Sequence, residues 1–353
     1  MKKPRKRKYR KQRRILFSII GIVLILGIFV TFPFFSKQKD VEKKYDESIQ
    51  KETPKLNIID LDSNSRPIAV MINNISTARP YQSGLQDAYL VYEMIVEGGL
   101  TRLMAVYKDA DTARIGSIRS SRHYYLDYAL ENDAIYVHWG YSEYAYRDIS
   151  KYKINNVDGY AYGNKYFWKD STLNVATEHR AFTSMELINQ GIEKLGYRKT
   201  TDASPLLSYS VEKLDLSTIE GAIPATKIDI EYSKSVTSSY VYDEENENYK
   251  RSVNGKAHTD YVTKEQYTTK NIITYQVKYS TISGDVKGRQ NLDNIGSGTG
   301  YYISNGYAIP ITWSKPSRSS KTIYKLSDGT ELKVNDGNTY IQIQPVGGNL
   351  SIS

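Results

Sequence analysis

The spacing of apolar residues divides the chain into two parts: the first has both strand-like and helical runs, and the second has strand-like runs alone. From residue 66, the runs IAVMI, AYLVYEMIV and LTRLMAVY predict strands, and the last two flank Gly98-Gly99 as the arms of a hairpin would. Residues 122–132, 142–150 and 184–195 have helical spacing, and the strand-like run AIYVHW follows the first of them. This mixture predicts an α/β domain over residues 66–204.

The pattern changes after residue 204. Pro205 and Pro224 bracket a polar stretch, which predicts a connector over residues 205–224. Beyond it come only strand-like runs, separated by turn pairs such as Asn254-Gly255. The sequence therefore predicts an all-β domain over residues 225–353 that folds independently, and an α+β fold class for the whole chain.

An apolar segment precedes both domains. Residues 15–35 read ILFSIIGIVLILGIFVTFPFF and contain no charged side chain. A helix of this length spans about 32 Å, close to the apolar thickness of a bilayer, about 30 Å. The run is longer than the apolar region of a secretory signal peptide and lacks a small-x-small cleavage site at its end. It predicts a transmembrane helix, followed by a stalk over residues 36–65.

Positive charge is concentrated at the N-terminus. Residues 1–14 hold ten of the 48 lysines and arginines and no acid, so the remainder carries 38 cations against 39 anions. The folded part therefore has no excess of positive charge to favour nucleic acid. The positive-inside rule places the basic tail, residues 1–14, in the cytoplasm, where anionic lipid attracts it, and the later domains outside.

Residue types limit the chemistry. The absence of cysteine from the sequence excludes disulfides, thiolate metal sites and a lipid-modified cysteine. The four histidines have no metal-ligand spacing, so no metal or cofactor is expected; His138, just before Trp139-Gly140, is placed to line a cleft. The 32 tyrosines against seven phenylalanines indicate either half-exposed strands or a surface that stacks on sugars.

The predicted hairpin carries the first charged cluster. A two-residue loop at Gly98-Gly99 would place Glu93, Glu97 and Arg102 on one face, with the arginine between the two carboxylates. This cluster is either a structural network of mutually paired charges or the floor of a polar site.

A second cluster lies in the run RIGSIRSSRHYYLDYA. Arg114, Arg119 and Arg122 precede a predicted helix whose first turn would favour an anion, and arginine can grip a carboxylate or phosphate with two hydrogen bonds. The alternative is that Asp127 pairs with Arg122 or with His123, which would leave no anion site.

Several longer segments resemble a known family. The runs RPIAVMINN, YQSGLQDAYLVYEMIVEGGLTRLMAVY and RIGSIRSSRHYYLDYALENDAIYVHWG, with GSGTGYYISNGYAIPITW and SDGTELKVNDGNTYIQIQP, are similar to the YerB-like family of Gram-positive envelope proteins. The resemblance implies two domains at the cell envelope and supplies no reaction. Most members are lipoproteins, whereas this chain has an apolar run and no cysteine. It also has EHRAFTS at residues 178–184 where members more often carry a Pro-His-Asn-like stretch, which leaves a role for His179 open.

Together these features predict a membrane-anchored, extracytoplasmic binding or scaffold protein whose partner is cell-wall polymer or an envelope protein of the wall-synthesis machinery. One alternative is a wall hydrolase or transferase with Glu93 or Glu97 as general acid or base. The other is a structural anchor that recruits a membrane partner through residues 15–35. No catalytic residue is assigned. The candidate ligand-binding residues are Glu93, Glu97, Arg102, Arg114, Arg119, Arg122, Asp127 and His138.

Overall fold

The first part of the chain combines strands with short helices, as its pattern predicts. The computed structural model describes residues 55–353; the predicted tail, the span at residues 15–35 and most of the stalk lie outside them. Between residues 55 and 353, no helix has both the length and the apolar character needed to cross a bilayer. The elements of the first part are β1 (Ile68–Asn73), β2 (Leu90–Ile95), β3 (Thr101–Tyr107), β4 (Ile115–Gly116), α1 (Leu126–Glu131), β5 (Ile135–His138), α2 (Glu143–Lys151), β6 (Asn156–Asp158), α3 (Gly159–Tyr162), β7 (Trp168–Lys169), β8 (Ala181–Thr183) and α4 (Met185–Lys194).

Two of the predicted helices begin and end where local sequence signals place them. The hydroxyl of Ser142 accepts a hydrogen bond from the Ala145 amide (3.1 Å) at the start of α2. Ser184 caps α4 in the same way, accepting from the Leu187 amide (3.2 Å). Gly196 follows α4 in the left-handed conformation, with φ of +65°, the normal end of a helix.

The helix predicted over residues 122–132 is shorter than expected. A 3-10 turn at His123–Tyr125 leads into α1, which begins only at Leu126, and no side chain caps either element. Ser121 does not cap it: its hydroxyl accepts a hydrogen bond from the Tyr136 hydroxyl (3.0 Å), and its amide donates to the Gly140 carbonyl (2.8 Å). Arg122 therefore lies in an extended conformation directly before the first turn, and the expected anion site at this helix start stays a prediction.

The second part of the chain, from residue 225, contains strands and turns without a helix. A 3-10 turn at Leu216–Thr218 precedes it in the predicted connector. The strands are β9 (Ser208–Ser210), β10 (Ile223–Pro224), β11 (Lys227–Ser233), β12 (Val236–Asp243), β13 (Asn248–Val253), β14 (Lys256–Ala257), β15 (Thr268–Thr269), β16 (Asn271–Val277), β17 (Tyr279–Thr281), β18 (Gln290–Leu292), β19 (Gly296–Ser304), β20 (Tyr307–Lys315), β21 (Ile323–Lys325), β22 (Lys333–Asn335), β23 (Thr339–Pro345) and β24 (Leu350–Ile352).

One sheet runs through both parts. Its order is β10-β20-β19-β16-β23-β2-β3-β1-β5-β6, with β21 against β20. The join is made by β23, which pairs in parallel with β16 on one side and with β2 on the other. A six-stranded sheet, β14-β13-β12-β11-β24 with β15 on β13, lies beside it. The buried apolar side chains of both parts form one continuous core, from Ile59 to Ile343.

The β2–β3 hairpin has a different register from the predicted one. Its loop has three residues, Glu97–Gly99, with both glycines in the left-handed conformation, and Ile95 pairs with Thr101. A shift of one residue moves each side chain of a strand to the opposite face. Glu93 consequently lies on one face of the sheet, and Arg102, which pairs with Met94, lies on the other.

Most tyrosines contribute to the core rather than to the surface. Eleven of the twelve largest fully buried side chains are tyrosines, drawn from both parts of the chain. Their hydroxyl groups find acceptors in the interior: Tyr124 donates to the Ile95 carbonyl (2.8 Å) and Tyr125 to that of Arg102 (2.6 Å). The all-β part therefore does not present its tyrosines as the interaction surface that its composition suggests.

Candidate functional site

A crevice opens at the carboxyl ends of two parallel strands, β1 and β5. The strands pair directly over their first three positions. Beyond that point residues 117–122 enter between them: the Arg119 amide donates to the Met71 carbonyl (2.9 Å), and the Trp139 amide donates to the Arg119 carbonyl (3.1 Å). Ligands of open α/β sheets bind outside the carboxyl ends of the strands where neighbouring strands part.

Cationic and aromatic side chains line this opening. We call it the basic crevice and define it by Arg119, Trp139, Tyr160, Lys169 and Glu178, around a cavity of about 300 Å³. The Lys169 ammonium lies 5.1 Å from the centre of the Trp139 ring. Arg119 donates to the backbone carbonyl of Glu178 (3.1 Å), and burial lowers the pKa of its guanidinium against the attraction of the Glu178 carboxylate.

Arg102 adds a second guanidinium behind the crevice. Its Nη1 donates to the carbonyl of Ser120 (2.5 Å), and Ser120 belongs to the lining. Burial first, and then the neighbouring charge of Arg122, lower the pKa of Arg102 to about 9. In the described part of the chain no carboxylate is at ion-pairing distance from Arg102. Its positive charge is therefore not neutralised by an ion pair and adds to the positive potential of the crevice.

Glu97 and Arg122 neutralise each other nearby. The guanidinium forms two hydrogen bonds to the carboxylate, Nε to Oε1 (2.5 Å) and Nη2 to Oε2 (2.8 Å). Burial alone would raise the pKa of Glu97, but the hydrogen bonds and charge of Arg122 hold it below its usual value. Glu97 is therefore ionised and paired, and the cations of the crevice that stay available are Arg119 and Lys169, with Arg102 behind them.

Two polar residues beside the crevice, Asn73 and Ser117, were not singled out by their sequence pattern, and His179 lies with them. The Asn73 amide nitrogen lies 2.9 Å from Nδ1 of His179, and burial lowers the pKa of that histidine. Oδ1 of Asn73 and Oγ of Ser117 are buried and have no hydrogen-bond partner among the described residues. The Asn73 amide donates a hydrogen bond to the Ser117 carbonyl (2.9 Å), so the two unsatisfied side-chain atoms belong to residues that are directly adjacent in the fold.

Exposed aromatic rings continue outward from the crevice. The side chain of Tyr160 is 67% exposed and that of Tyr146 is 57% exposed. Tyr141 connects them, with its ring centre 6.0 Å from that of Tyr160 and 4.9 Å from that of Tyr146. Together with Trp139 they form a row of ring faces beside a basic opening. Such faces stack on the apolar faces of other ring molecules while their polar edges stay hydrated.

The structure brings together only half of the predicted ligand-binding residues. Arg119 lines the crevice, Arg102 donates to Ser120 of its lining, and the Glu97–Arg122 pair lies beside them. Glu93 does not: it is fully buried on the other face of the sheet, where its Oε2 accepts a hydrogen bond from Arg251 (2.9 Å).

The other three predicted residues have structural partners elsewhere. Arg114 pairs with Asp170 (2.9 Å) and stacks on the Phe182 ring at 3.7 Å. Neither Arg122 nor His123 pairs with Asp127, which accepts instead from Nε of Arg318 (2.5 Å). His138 is wholly buried, with Nδ1 at 2.9 Å from the Gly140 carbonyl and Nε2 at 3.1 Å from Oδ1 of Asn156, so it does not line the cleft.

Metal-ligating side chains do not cluster in the part of the chain that the structure describes: residues 55–353 contain no group of three histidine, aspartate or glutamate side chains placed to hold an ion.

Comparisons with known proteins agree with the two-part organisation. Residues 55–198 match the N-terminal domain, and residues 228–341 the C-terminal domain, of the family described as "Protein of unknown function (DUF3048)". A Bacillus subtilis (strain 168) protein, YerB, named as a candidate lipoprotein, is 29% identical over 283 residues, which cover 79% of this chain and 81% of the relative. The crystal structure of YerB from Bacillus subtilis superimposes with a TM-score of 0.72 at 27% identity, covering 84% of this chain and 99% of that one.

Proposed function

The chain belongs to the DUF3048 family, and on that premise we propose that it is a binding protein of the bacterial cell envelope that holds an anionic saccharide of the cell wall in the basic crevice. The observation that carries the proposal is the combination of Arg119 and Lys169 with the ring faces of Trp139 and Tyr160 around one cavity. Wall glycopeptides and teichoic acids carry carboxylate or phosphate on or between sugars. Such a ligand would use the cations and the rings at the same time.

Binding is favoured over hydrolysis by the state of the carboxylates. A glycosidase needs two carboxyl groups that face the same sugar, one of them with a raised pKa so that it can donate a proton. Glu93 is buried against Arg251, and Glu97 is paired with Arg122. Glu178, at the crevice, has its pKa lowered, first by a backbone hydrogen bond and further by His179 and Arg119, so it is ionised at neutral pH.

The binding test uses the full chain and purified sacculi, with and without chemical removal of the phosphate-containing polymers. Arg119→Ala and Lys169→Gln should each weaken binding about five- to twenty-fold, because each removes a cation that lines the crevice. Lys194→Gln removes an equally exposed cation from α4 and should leave binding within about two-fold. If the phosphate-free sacculi bind equally well, the anion is a wall carboxylate. No affinity for either preparation, or equal losses in all three variants, would overturn the proposal.

Location is the second component of the proposal. The Bacillus relative is named a candidate lipoprotein, a class that a lipid-bearing cysteine holds at a membrane surface. This chain has no cysteine, and residues 15–35 would serve as its anchor, with the basic tail inside and residues 55–353 outside.

Protease added to intact protoplasts tests that location. It should remove the folded part and leave a small membrane-embedded N-terminal remnant. A cytoplasmic marker protein must survive the same treatment as a control for membrane integrity. Recovery of the undigested chain from intact protoplasts, together with its digestion after detergent lysis, would show that the folded part is inside.

A further inference from the structure

A large cavity of the described chain lies between the two family domains and shares no lining residue with the basic crevice. Its volume is about 710 Å³, within the range of about 300–1,000 Å³ that is usual for small-ligand sites. The first domain supplies residues 83–87 and 112–114, and the second supplies residues within 243–250 and 260–268. We call it the interdomain cavity.

Buried polar atoms of the lining lack partners. Oγ of Ser83, Nε of Arg114 and Oδ1 of Asn248 are all inaccessible to solvent and have no hydrogen bond within the described structure. Ser83 itself is only 1% exposed. Buried donors and acceptors are nearly always satisfied, so three in one cavity wall indicate a missing polar partner. They are a hydroxyl, an N–H donor and an amide carbonyl acceptor.

The charges of the lining favour a cationic ligand. Asp87, Asp260 and Glu265 have no cation at ion-pairing distance among residues 55–353, whereas Asp243 is paired with Lys250 (2.6 Å). Arg114 does not offset them, because Asp170 outside the lining neutralises it (2.9 Å). A phosphate or carboxylate would be repelled here, and a protonated amine would be attracted.

The cavity wall is rigid at its acidic centre. Oδ2 of Asp260 accepts from the Gly84 amide (2.7 Å) and the Tyr267 hydroxyl (2.8 Å), and Oδ1 accepts from the Val262 amide (2.7 Å). The bond from Gly84 joins the two domains, and all three bonds hold Asp260 in place before any ligand arrives. Tyr267 is the one aromatic residue of the lining, and it is buried with its hydroxyl engaged, so no ring face is offered to a sugar.

We propose that the interdomain cavity is a second binding site, for a short peptide that carries a protonated amine. The lining contains side-chain amides, hydroxyls and carboxylates, which can pair with the donors and acceptors of a peptide backbone, and the unpaired acids match the amine. The site is independent of the basic crevice in position, in charge and in ligand class.

Titration calorimetry with the full chain tests this proposal. The probes are alanine tetrapeptides that carry one lysine at each position in turn, and the same peptides with both amines acetylated. At least one peptide with unmodified amines should bind saturably. Acetylation of its amines should weaken the affinity about ten-fold or more, equivalent to about 1.4 kcal/mol. Absence of saturable heat with every free peptide, or equal binding of the acetylated forms, would overturn the assignment.

Variants locate the peptide within the cavity. Asp87→Asn and Glu265→Gln should each weaken it about three- to ten-fold, whereas Glu220→Gln, an exposed acid outside the lining, should leave the affinity unchanged. Ala113→Trp, at the exposed rim, should block binding sterically without lowering the unfolding temperature. If the peptide binds the Asp87, Glu265 and Ala113 variants as it binds the parent protein, it binds elsewhere and the proposal is wrong.

Discussion

Glu93 illustrates at the scale of one residue how the fold decides a side chain's role. Its carboxylate accepts hydrogen bonds from Asn74, Thr101, Ser238 and Arg251, at 2.8–3.1 Å. Asn74 and Thr101 belong to the first domain, and Ser238 and Arg251 belong to the second, so the carboxylate bridges them. Both members of the Glu93–Arg251 ion pair are completely excluded from solvent.

Neutralising this carboxylate should destabilise the protein strongly. Glu93→Gln leaves the Arg251 guanidinium buried without a counter-charge, which costs about 3–5 kcal/mol of unfolding free energy. Glu97→Gln is the matched comparison: its ion pair with Arg122 is partly exposed, at 20% and 13% of the two side chains, and its loss should cost only about 1 kcal/mol. Denaturant unfolding measures both losses of unfolding free energy. Equal losses would mean that the buried ion pair contributes no more to stability than the partly exposed one.

His258 should make stability depend on pH. Burial first, and then the charges of Arg251 and Arg79, hold the pKa of His258 well below its usual value, and its Nδ1 accepts a hydrogen bond from Nε of Arg251 (3.0 Å). Below pH 6.5 the unfolded chain binds a proton that the folded chain excludes. The free energy of unfolding should therefore fall as the pH drops from 6.5, by about 1.4 kcal/mol per unit.

The variant His258→Gln isolates this contribution. It has no titrating ring at position 258, so its unfolding free energy should change less than that of the parent between pH 6.5 and 5.5, a range above the usual carboxylate pKa values. Parallel curves for the two proteins in denaturant titrations across that range would contradict the assignment of the slope to His258.

At the scale of elements, the crevice depends on how segments pack rather than on any one charge. Gly159 opens α3 directly after β6, and a Cβ atom at that position would overlap the ring of Trp139. Tyr160, the next residue, lines the crevice. The close contact between α3 and the Trp139 ring thus fixes how Trp139 and Tyr160 are placed in the crevice lining.

Gly159→Ala should therefore alter the crevice without changing its charge. The Trp139 ring has to turn away from the added methyl group, which should change the near-ultraviolet circular dichroism and weaken binding to sacculi several-fold. Ala161→Ser, at an exposed position of the same helix, is the control and should change neither. An unchanged spectrum would show that the helix, rather than the ring, yields to the methyl group.

At the scale of the whole molecule, the two family domains depend on each other. Strand β23 of the second domain pairs with β2 of the first over five residues, from Leu90 with Thr339 to Met94 with Ile343. Removing the first domain would uncover this edge, along with the charge network around Arg251. Exposed apolar edge strands favour association between chains.

The fragment 222–353 should therefore fail to fold as a stable monomer, contrary to the expectation from the prolines and the polar connector. It should aggregate, or unfold without a cooperative transition, whereas residues 55–353 should unfold in one transition. Size-exclusion chromatography and thermal circular dichroism distinguish these outcomes. A monomeric fragment with a sharp β-type transition would restore the view that the domains are independent.

Local sequence determined the elements that short-range interactions control. The helices predicted over residues 142–150 and 184–195 depend on hydrogen bonds and backbone preferences within a few residues, and the structure confirms them, with Ser142 and Ser184 as caps and Gly196 after the second helix. The proximity of Arg119 and Arg122 follows in the same way, because both lie on one short extended segment. The sequence alone also predicts the apolar span at residues 15–35, which lies outside the described residues.

Tertiary structure alone decided the features that depend on distant pairings. One extra loop residue at Glu97–Gly99 moved Glu93 and Arg102 to opposite faces, since side chains alternate along a strand. The partner of Asp127 is Arg318, 191 residues away, and no spacing rule predicts a contact at that separation. The continuous sheet through β23 and β2, and both candidate sites, depend likewise on strand order, which is set by the packing of the whole core.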